Sequence, residues 1–532
     1  MRLSAALLLL LLCGSARAQQ DPCDAAIHVG AGGAFTDACG RVRVFHGINA
    51  VAKSPPYAPS ATYTGDGGSL SPTDAALWGS LGLNALRLGV MWAGVEPLAR
   101  GGTNATYLSA LSALQQTMYS EGIFTMLDAH QDGFSEEFCD DGAPRWAARE
   151  YAAGAPGFPE PLARPINSTA NCGAIGGIPW AELYFTSAVG RAFQVLYNTS
   201  QGRADFGRFW GAVAGALGGN AGILGYELLN EPWAGDVLAD PLLLVPGVAD
   251  AALLQPFYAS VTAALRAAEA RAGAPPRIVF AEPITWSEFF PVGFSELPGG
   301  AGARALSYHY YSAPDVIGYA AQVAARAADA ARRGAGAILS EFDMDLLSPV
   351  LAPYSELDMR GTLDAVEAAG HSFMGWAAAS MWVARDTLHV PTVRELARPY
   401  ARAVAGANVT SRFAVASGGG GGTLTLSYAL SGPAVAANGS TEVFVSTGLW
   451  WGAAGLGVAA APPGLLQWQW RHQAGAVSLP AANATGAPAG TRAFASAVLT
   501  VALTAEGAAA AAAAAAGGGE APRVTLVVSG SG

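Results

Sequence analysis

Between residues 42 and 382, short apolar runs alternate with stretches of helical pattern, and nearly every run ends in polar residues. The runs cover residues 42–50, 85–92, 124–130, 223–233, 277–283, 305–311, 337–343 and 372–382. Helical patterns are expected at 72–82, 107–122, 182–217, 253–272, 315–333, 358–369 and 392–405, with a Gly- and Pro-rich loop at 131–179. Short strands alternating with helices predict parallel βα units, and eight of them predict an α/β fold of the (β/α)8 TIM-barrel type. A doubly wound open sheet is the rival. It would place a Gly-x-Gly-x-x-Gly turn after the first strand and gather its ligand groups at one switch point. This chain has no such turn there and spreads polar residues over the strand ends.

The pattern changes near Gly406. Residues 423–430 alternate apolar and polar as a half-buried strand does, and 441–446, 465–471, 493–505 and 523–528 do the same. The expected organisation is a barrel domain over 19–405 and a small antiparallel β-sandwich over 406–532. The poly-alanine run at 508–516 is read as a low-complexity loop. Residues 1–18 read as a signal peptide: Arg2, an apolar core at 5–12 and a small-residue site at Ala16-Arg17-Ala18. Six Asn-X-Ser/Thr sequons (Asn104, Asn167, Asn198, Asn408, Asn438, Asn483) fit a secreted or lysosome-like glycoprotein. Of five cysteines, Cys13 leaves with the signal. Three pairings of the rest exist, and Cys23–Cys39 with Cys139–Cys172 closes loops without crossing an expected strand. A net charge of −11 without basic runs argues against nucleic acid. No Cys-x-x-Cys or His spacing suggests a metal, and no cofactor is implied.

The chemistry concentrates at the ends of the apolar runs. Residues 223–233 close with Asn230-Glu231-Pro232, and Pro232 cannot continue a sheet interior, so Glu231 is expected at the end of strand four. Glu341 ends the seventh run. Two carboxylates on separate barrel strands suit acid/base and nucleophilic work. Arg87 lies among apolar neighbours, and a buried Arg requires a carboxylate, with Glu341 the expected partner. His130 and Asp132 end the third run, His309 and Tyr311 the sixth. Trp376 and Trp382 fall in the eighth, and Trp382 is preferred as a sugar platform because it lies further along.

Arg87, His130, Asn230-Glu231-Pro232, His309-x-Tyr311, Glu341-Phe342 and a late Trp resemble glycoside hydrolase family 5. Gly47-Ile48-Asn49 with Lys53, Asp128-Ala129-His130-Gln131-Asp132, and Asn230-Glu231-Pro232-Trp233 resemble its endoglycoceramidase branch. The resemblance implies Glu231 as general acid/base and Glu341 as nucleophile of a retaining mechanism. It also implies Lys53, Asp132, Asn230, Tyr311 and Trp382 around the sugar, and a glycolipid cut between glycan and ceramide. Phe342-Asp343 replaces the usual Phe-Gly after the nucleophile. Two apolar loops, Leu242 to Val245 and the one with Trp286, Phe289, Phe290 and Phe294, are expected at the barrel mouth, where they would suit an acyl chain or contact with a membrane or micelle. The chain is expected to be a monomer. A β-glucosidase on glucosylceramide or a steryl glucoside, a β-glucanase or mannanase, and a non-catalytic glycan-binding barrel are the other readings.

Overall fold

Eight parallel strands close on themselves: β1 (His46–Ala50), β2 (Ala85–Gly89), β3 (Phe124–Asp128), β4 (Ile223–Glu227), β5 (Ile278–Ala281), β6 (Arg304–Tyr310), β7 (Gly336–Phe342) and β8 (Ser372–Gly375). Each pairs with the next, and β8 returns to β1. The computed structural model describes residues 21–162, 180–285, 290–311, 318–347, 354–417, 421–451, 455–473, 478–482, 485–486 and 488–531. The expected signal peptide, Cys172 with its pairing to Cys139, and Trp286 and Phe289 lie outside these residues.

Helices cover the barrel, which is why its strands are almost wholly buried and read as near-continuous apolar runs. Local signals fix the helix starts. Ser71 and Asp74 form a reciprocal cap on Pro72–Ser80, and Ser355 and Asp358 do the same on Glu356–Ala368.

The two ends of the barrel differ sharply. The N-terminal end is closed by a hairpin, Ile27–Val29 with Phe35–Asp37, flanked by the Cys23–Cys39 disulfide with a Cα separation of 5.0 Å. Phe35 meets Phe45 edge-on at 5.9 Å and lies 6.1 Å from Phe280, filling the floor with aromatic rings. From this plug the sheet continues through Val42–Arg43 to Tyr400–Val404 and Thr441–Ser446, so one seven-stranded sheet joins the barrel floor to the C-terminal sandwich. Arg41 bridges the same junction, to Asp37 at 2.7 Å and to Glu442 at 3.3 Å. The second sandwich sheet is Ala407–Val415, Gly421–Ala429, Arg523–Ser531 and Gly457–Ala461. Leu424, Leu426, Val443 and Leu499 are fully buried between the two.

Four expectations need correction. The last barrel helix ends at Leu396, and residues 400–404 form a strand; Pro399 prevents the helix from continuing, and strands on both sides pair with residues 400–404. The poly-alanine run is a helix, Ala505–Gly517, capped by Thr504 and ended by Gly518 at φ 64°. Alanine's helix propensity prevails there over the neighbouring strand patterns. Strand four ends at Glu227, before Glu231, and strand eight ends at Gly375, before both tryptophans.

Candidate active site

The C-terminal end of the barrel holds a buried charged cluster built around Arg87 on β2. Its guanidinium reaches Glu341 on β7 at 2.5 Å and Asp128 on β3 at 3.1 Å, and pairs closely with Glu227 on β4. It also donates to Asn49 Oδ1 at 3.0 Å and Asn230 Oδ1 at 2.6 Å. A fully buried guanidinium with such partners stays charged, although burial alone opposes this. Asn49 is locked in turn, its amide donating to the carbonyls of Ser340 at 2.9 Å and Gly375 at 3.1 Å.

Glu341 sits at a bulge. Opposite β6 the pairing slips by one residue between Leu339 and Glu341, leaving Glu341 beside His309. A bulge re-aims a side chain, and here the Glu341 carboxylate points into the barrel mouth. Its Oε2 accepts the Tyr311 hydroxyl at 2.6 Å, one residue past β6.

Glu231 reaches the same point from a loop. Beyond β4 the chain leaves the pleat but not its neighbours: Leu228 N donates to Phe280 O at 3.1 Å and Asn230 N to Ala129 O at 3.0 Å. Gln131 bridges the loops after β3 and β4, donating to the carbonyls of Asn230 at 2.8 Å and Glu231 at 3.0 Å. Glu231 itself adopts φ 39°, in the left-handed region that costs a non-glycine residue free energy. Strained backbone of this kind persists where surrounding bonds over-determine it.

A carboxylate oxygen of Glu231, one of Glu341 and a ring nitrogen of His309 all lie within 4.8 Å of one another. His309 Nδ1 hydrogen-bonds Glu231 Oε1 at 2.8 Å. The two carboxyls occupy opposite electrostatic settings. Glu341 has a guanidinium and a phenol on its oxygens. Among the described residues Glu231 has no comparable cation at contact; burial, helped by Asp132, pushes its carboxyl up to about 7 against the pull of Lys53, His130 and Arg87. One carboxyl therefore faces a guanidinium while the other keeps a proton near neutrality, the asymmetry a paired nucleophile and acid require. The short separation suits direct attack by one carboxylate, since an inverting pair leaves room for water at about 6.5–9.5 Å.

The remaining expected residues group as follows. His130 Nδ1 donates to Asp128 Oδ2 at 2.7 Å; burial opposes its charge, but Asp128 and Asp132 raise it to about 10. Lys53 pairs closely with Asp132 and lies 3.8 Å from Asp141. The structure brings Trp376 rather than Trp382 against these groups. The Trp376 ring stacks on His130 at 5.3 Å, with Lys53 Nζ 5.0 Å from its centre. Trp382 lies beyond a 3-10 turn, in a separate strand (Trp382–Ala384), and meets Tyr63 edge-on at 6.5 Å. Position along the run favoured Trp382, whereas the strand's early end places Trp376 at the mouth. Glu227 and Glu282 are further buried carboxyls at the site that sequence reasoning missed. Their only signal is an acidic residue inside or directly after an apolar run.

Residues 71–381 match the Cellulase family model, glycosyl hydrolase family 5. The chain belongs to glycosyl hydrolase family 5. It is a retaining glycoside hydrolase of endoglycoceramidase-like type. It is 35% identical over 408 residues to an endoglycoceramidase of Cyanea nozakii, covering 71% of this chain and 77% of that protein. It is 40% identical over 289 residues to an endoglycoceramidase of Hydra vulgaris, covering 52% of this chain and 54% of the relative. The fold is similar to that of endo-glycoceramidase II from Rhodococcus sp. in a ganglioside GM3 complex, with a TM-score of 0.64 and 20% identity over 93% of this chain and 98% of the other.

Proposed function

We propose that this enzyme hydrolyses the β-glycosidic bond between glycan and ceramide in glycolipids, with Glu231 as general acid/base and Glu341 as nucleophile. The observation that carries the reading is the asymmetric pair within 4.8 Å, one carboxyl held by Arg87 and Tyr311 and the other keeping its proton. In the first step Glu341 attacks the anomeric carbon while Glu231 transfers its proton to the leaving oxygen. In the second Glu231, now a carboxylate, takes a proton from water as the water displaces Glu341, and configuration is retained. In this reading Lys53, Asp132, Asn230, His130 and the Trp376 face hold the sugar, and Trp382 serves further out.

The leaving-group side supports a lipid. Trp233, two residues past Glu231, lines a narrow cleft of about 40 Å³ with Leu243, Leu244, Val245 and Ile284. Beyond it Leu242 is 67% exposed and Phe290 50% exposed, surface suited to an acyl chain or to transient contact with a bilayer or micelle. A secreted, glycosylated monomer fits this role, and the sequon residues Asn198, Asn408 and Asn438 are exposed.

Incubation of the purified protein with a ganglioside, glucosylceramide and cellulose tests the reading. Release of intact oligosaccharide and ceramide from the ganglioside is expected. Release of glucose from glucosylceramide alone would make it a β-glucosidase, and cellulose cleavage alone would make it a glucanase.

A further inference from the structure

Glu282 lies directly after β5 and is 2% exposed. Its Oε2 accepts the backbone N–H of Glu231 at 3.0 Å, and its Oε1 lies 3.6 Å from His309 Nδ1, the atom that also bonds Glu231 Oε1. Glu282 thus touches both the peptide on which Glu231 turns and the ring that orients its carboxyl. Glu231 holds φ 39°, and the Gln131 amide on its carbonyl and the Glu282 carboxyl on its N–H grip that peptide from both sides. Removing either grip lets a strained residue relax.

The surroundings of Glu282 also fix its charge. Glu227 and Glu231 face it across the barrel mouth, with Arg87 and the ring of His309 near them and the phenols of Tyr197 and Tyr258 close by. Arg87 is already engaged with Asp128, Glu227 and Glu341. Glu227 Oε1 is buried without a hydrogen-bond donor among the described residues, and Glu227 offers an oxygen within 4.8 Å of Glu282 and His309. A proton on Glu282 supplies a donor to this side and removes an uncompensated buried charge. Burial together with Glu227 and Glu231 drives the carboxyl in the same direction, well above the usual range.

We propose that Glu282 is a positioning residue for Glu231, fixing the backbone turn that aims the acid/base, and that it works as a neutral acid. The inference rests on the acid/base reading of Glu231. A neutral Glu282 accepts one hydrogen bond and donates another, so a glutamine reproduces both, while a shorter or apolar side chain reproduces neither.

The test compares kcat/KM on two soluble β-glycosides of one sugar. One has a dinitrophenyl leaving group, which departs without a proton; the other has an alkyl leaving group, which needs one. Glu282→Gln is expected to stay within about threefold of the parent enzyme on both. Glu282→Leu and Glu282→Asp are expected to lose about 100-fold on the alkyl glycoside, the scale of an ångström's misplacement, with the dinitrophenyl glycoside within about threefold. Equal losses on the two substrates would mean a structural role only, and a Glu282→Gln loss as large as that of Glu282→Leu would show that the ionised form is needed; either overturns the proposal. Should Glu282→Leu not fold, Glu282→Asp and Glu282→Gln decide alone. Glu231→Ala is the control. If its loss is also confined to the alkyl glycoside and azide restores turnover, the acid/base reading holds and the Glu282 result stands by itself. If not, both readings fall.

Discussion

Glu341 and Glu231 are chemically identical groups within 4.8 Å of each other, yet the fold treats them oppositely. Glu341 stands on a strand, re-aimed by a bulge, with Arg87 at 2.5 Å and Tyr311 at 2.6 Å. Glu231 stands on a loop in a left-handed turn, hydrogen-bonded through its carboxyl to His309, with the Glu282 carboxyl on its N–H. The first arrangement stabilises an anion. The second makes an anion costly and so stores a proton. The lesson is that the site is differentiated by which partner each carboxyl is given, and strand positions alone would not have done this.

The largest effect should come from removing the Glu341 carboxyl. Glu341→Ala is expected to lower turnover of a glycolipid by roughly 10,000-fold or more, the scale seen when a nucleophile is lost, with an unchanged circular dichroism spectrum. Substantial residual turnover would break the assignment of the two roles. Arg87→Met should come next, through stability. It leaves Asp128, Glu227 and Glu341 buried without their cation, and denaturant unfolding should show a loss of about 3–5 kcal/mol. A near-neutral result would mean that the guanidinium is not what separates the two carboxyls.

The stored proton gives a prediction of opposite sign. Glu231 titrates near 7 in the folded protein, above the ordinary carboxylate range. Below that ordinary range both folded and unfolded chains are protonated and nothing is lost. As pH rises toward 7 the folded chain alone keeps the proton, so stability falls with pH, and the cost is complete above 7. Glu231→Gln should therefore unfold at a higher denaturant concentration than the parent at pH 8, by on the order of 2 kcal/mol, and at nearly the same concentration at pH 4. The parent's kcat/KM should fall as pH passes about 7. A stability gain equal at both pH values would remove the electrostatic explanation.

The smallest effect concerns what lies beyond Glu231. Leu242→Ser with Phe290→Ser should reduce glycolipid turnover about tenfold, the scale of one or two buried methylenes, while a soluble aryl glycoside is hydrolysed nearly as before. Leu243, which a reading of the loop alone would select, is buried at 7% exposure and belongs to the core. Equal losses on both substrates would make these loops ordinary packing.

Much of this was legible in the sequence. The repeat of apolar run and helix specifies the barrel because a strand buried on both faces needs apolar side chains throughout and a helix to cross back over it. Glu231 and Glu341 stand out because a carboxylate at the end of such a run has few structural reasons to be there. Arg87 declared its need for a carboxylate partner by lying in an apolar strand. Tertiary structure decided the rest. Where β4 and β8 stop depends on what the neighbouring loops offer the backbone, so Glu231 became a loop residue and Trp376 took the place at the mouth beside His130. The sheet shared by the floor hairpin and the sandwich joins strands more than 350 residues apart, and no local pattern encodes it. Nor does sequence divide the charges. Asp128, Glu227, Glu282 and Glu341 are alike as sequence letters, and only the fold decides which of them contact Arg87 and which lies beside His309, because electrostatic interaction in a buried site depends on separation and on the water excluded around it.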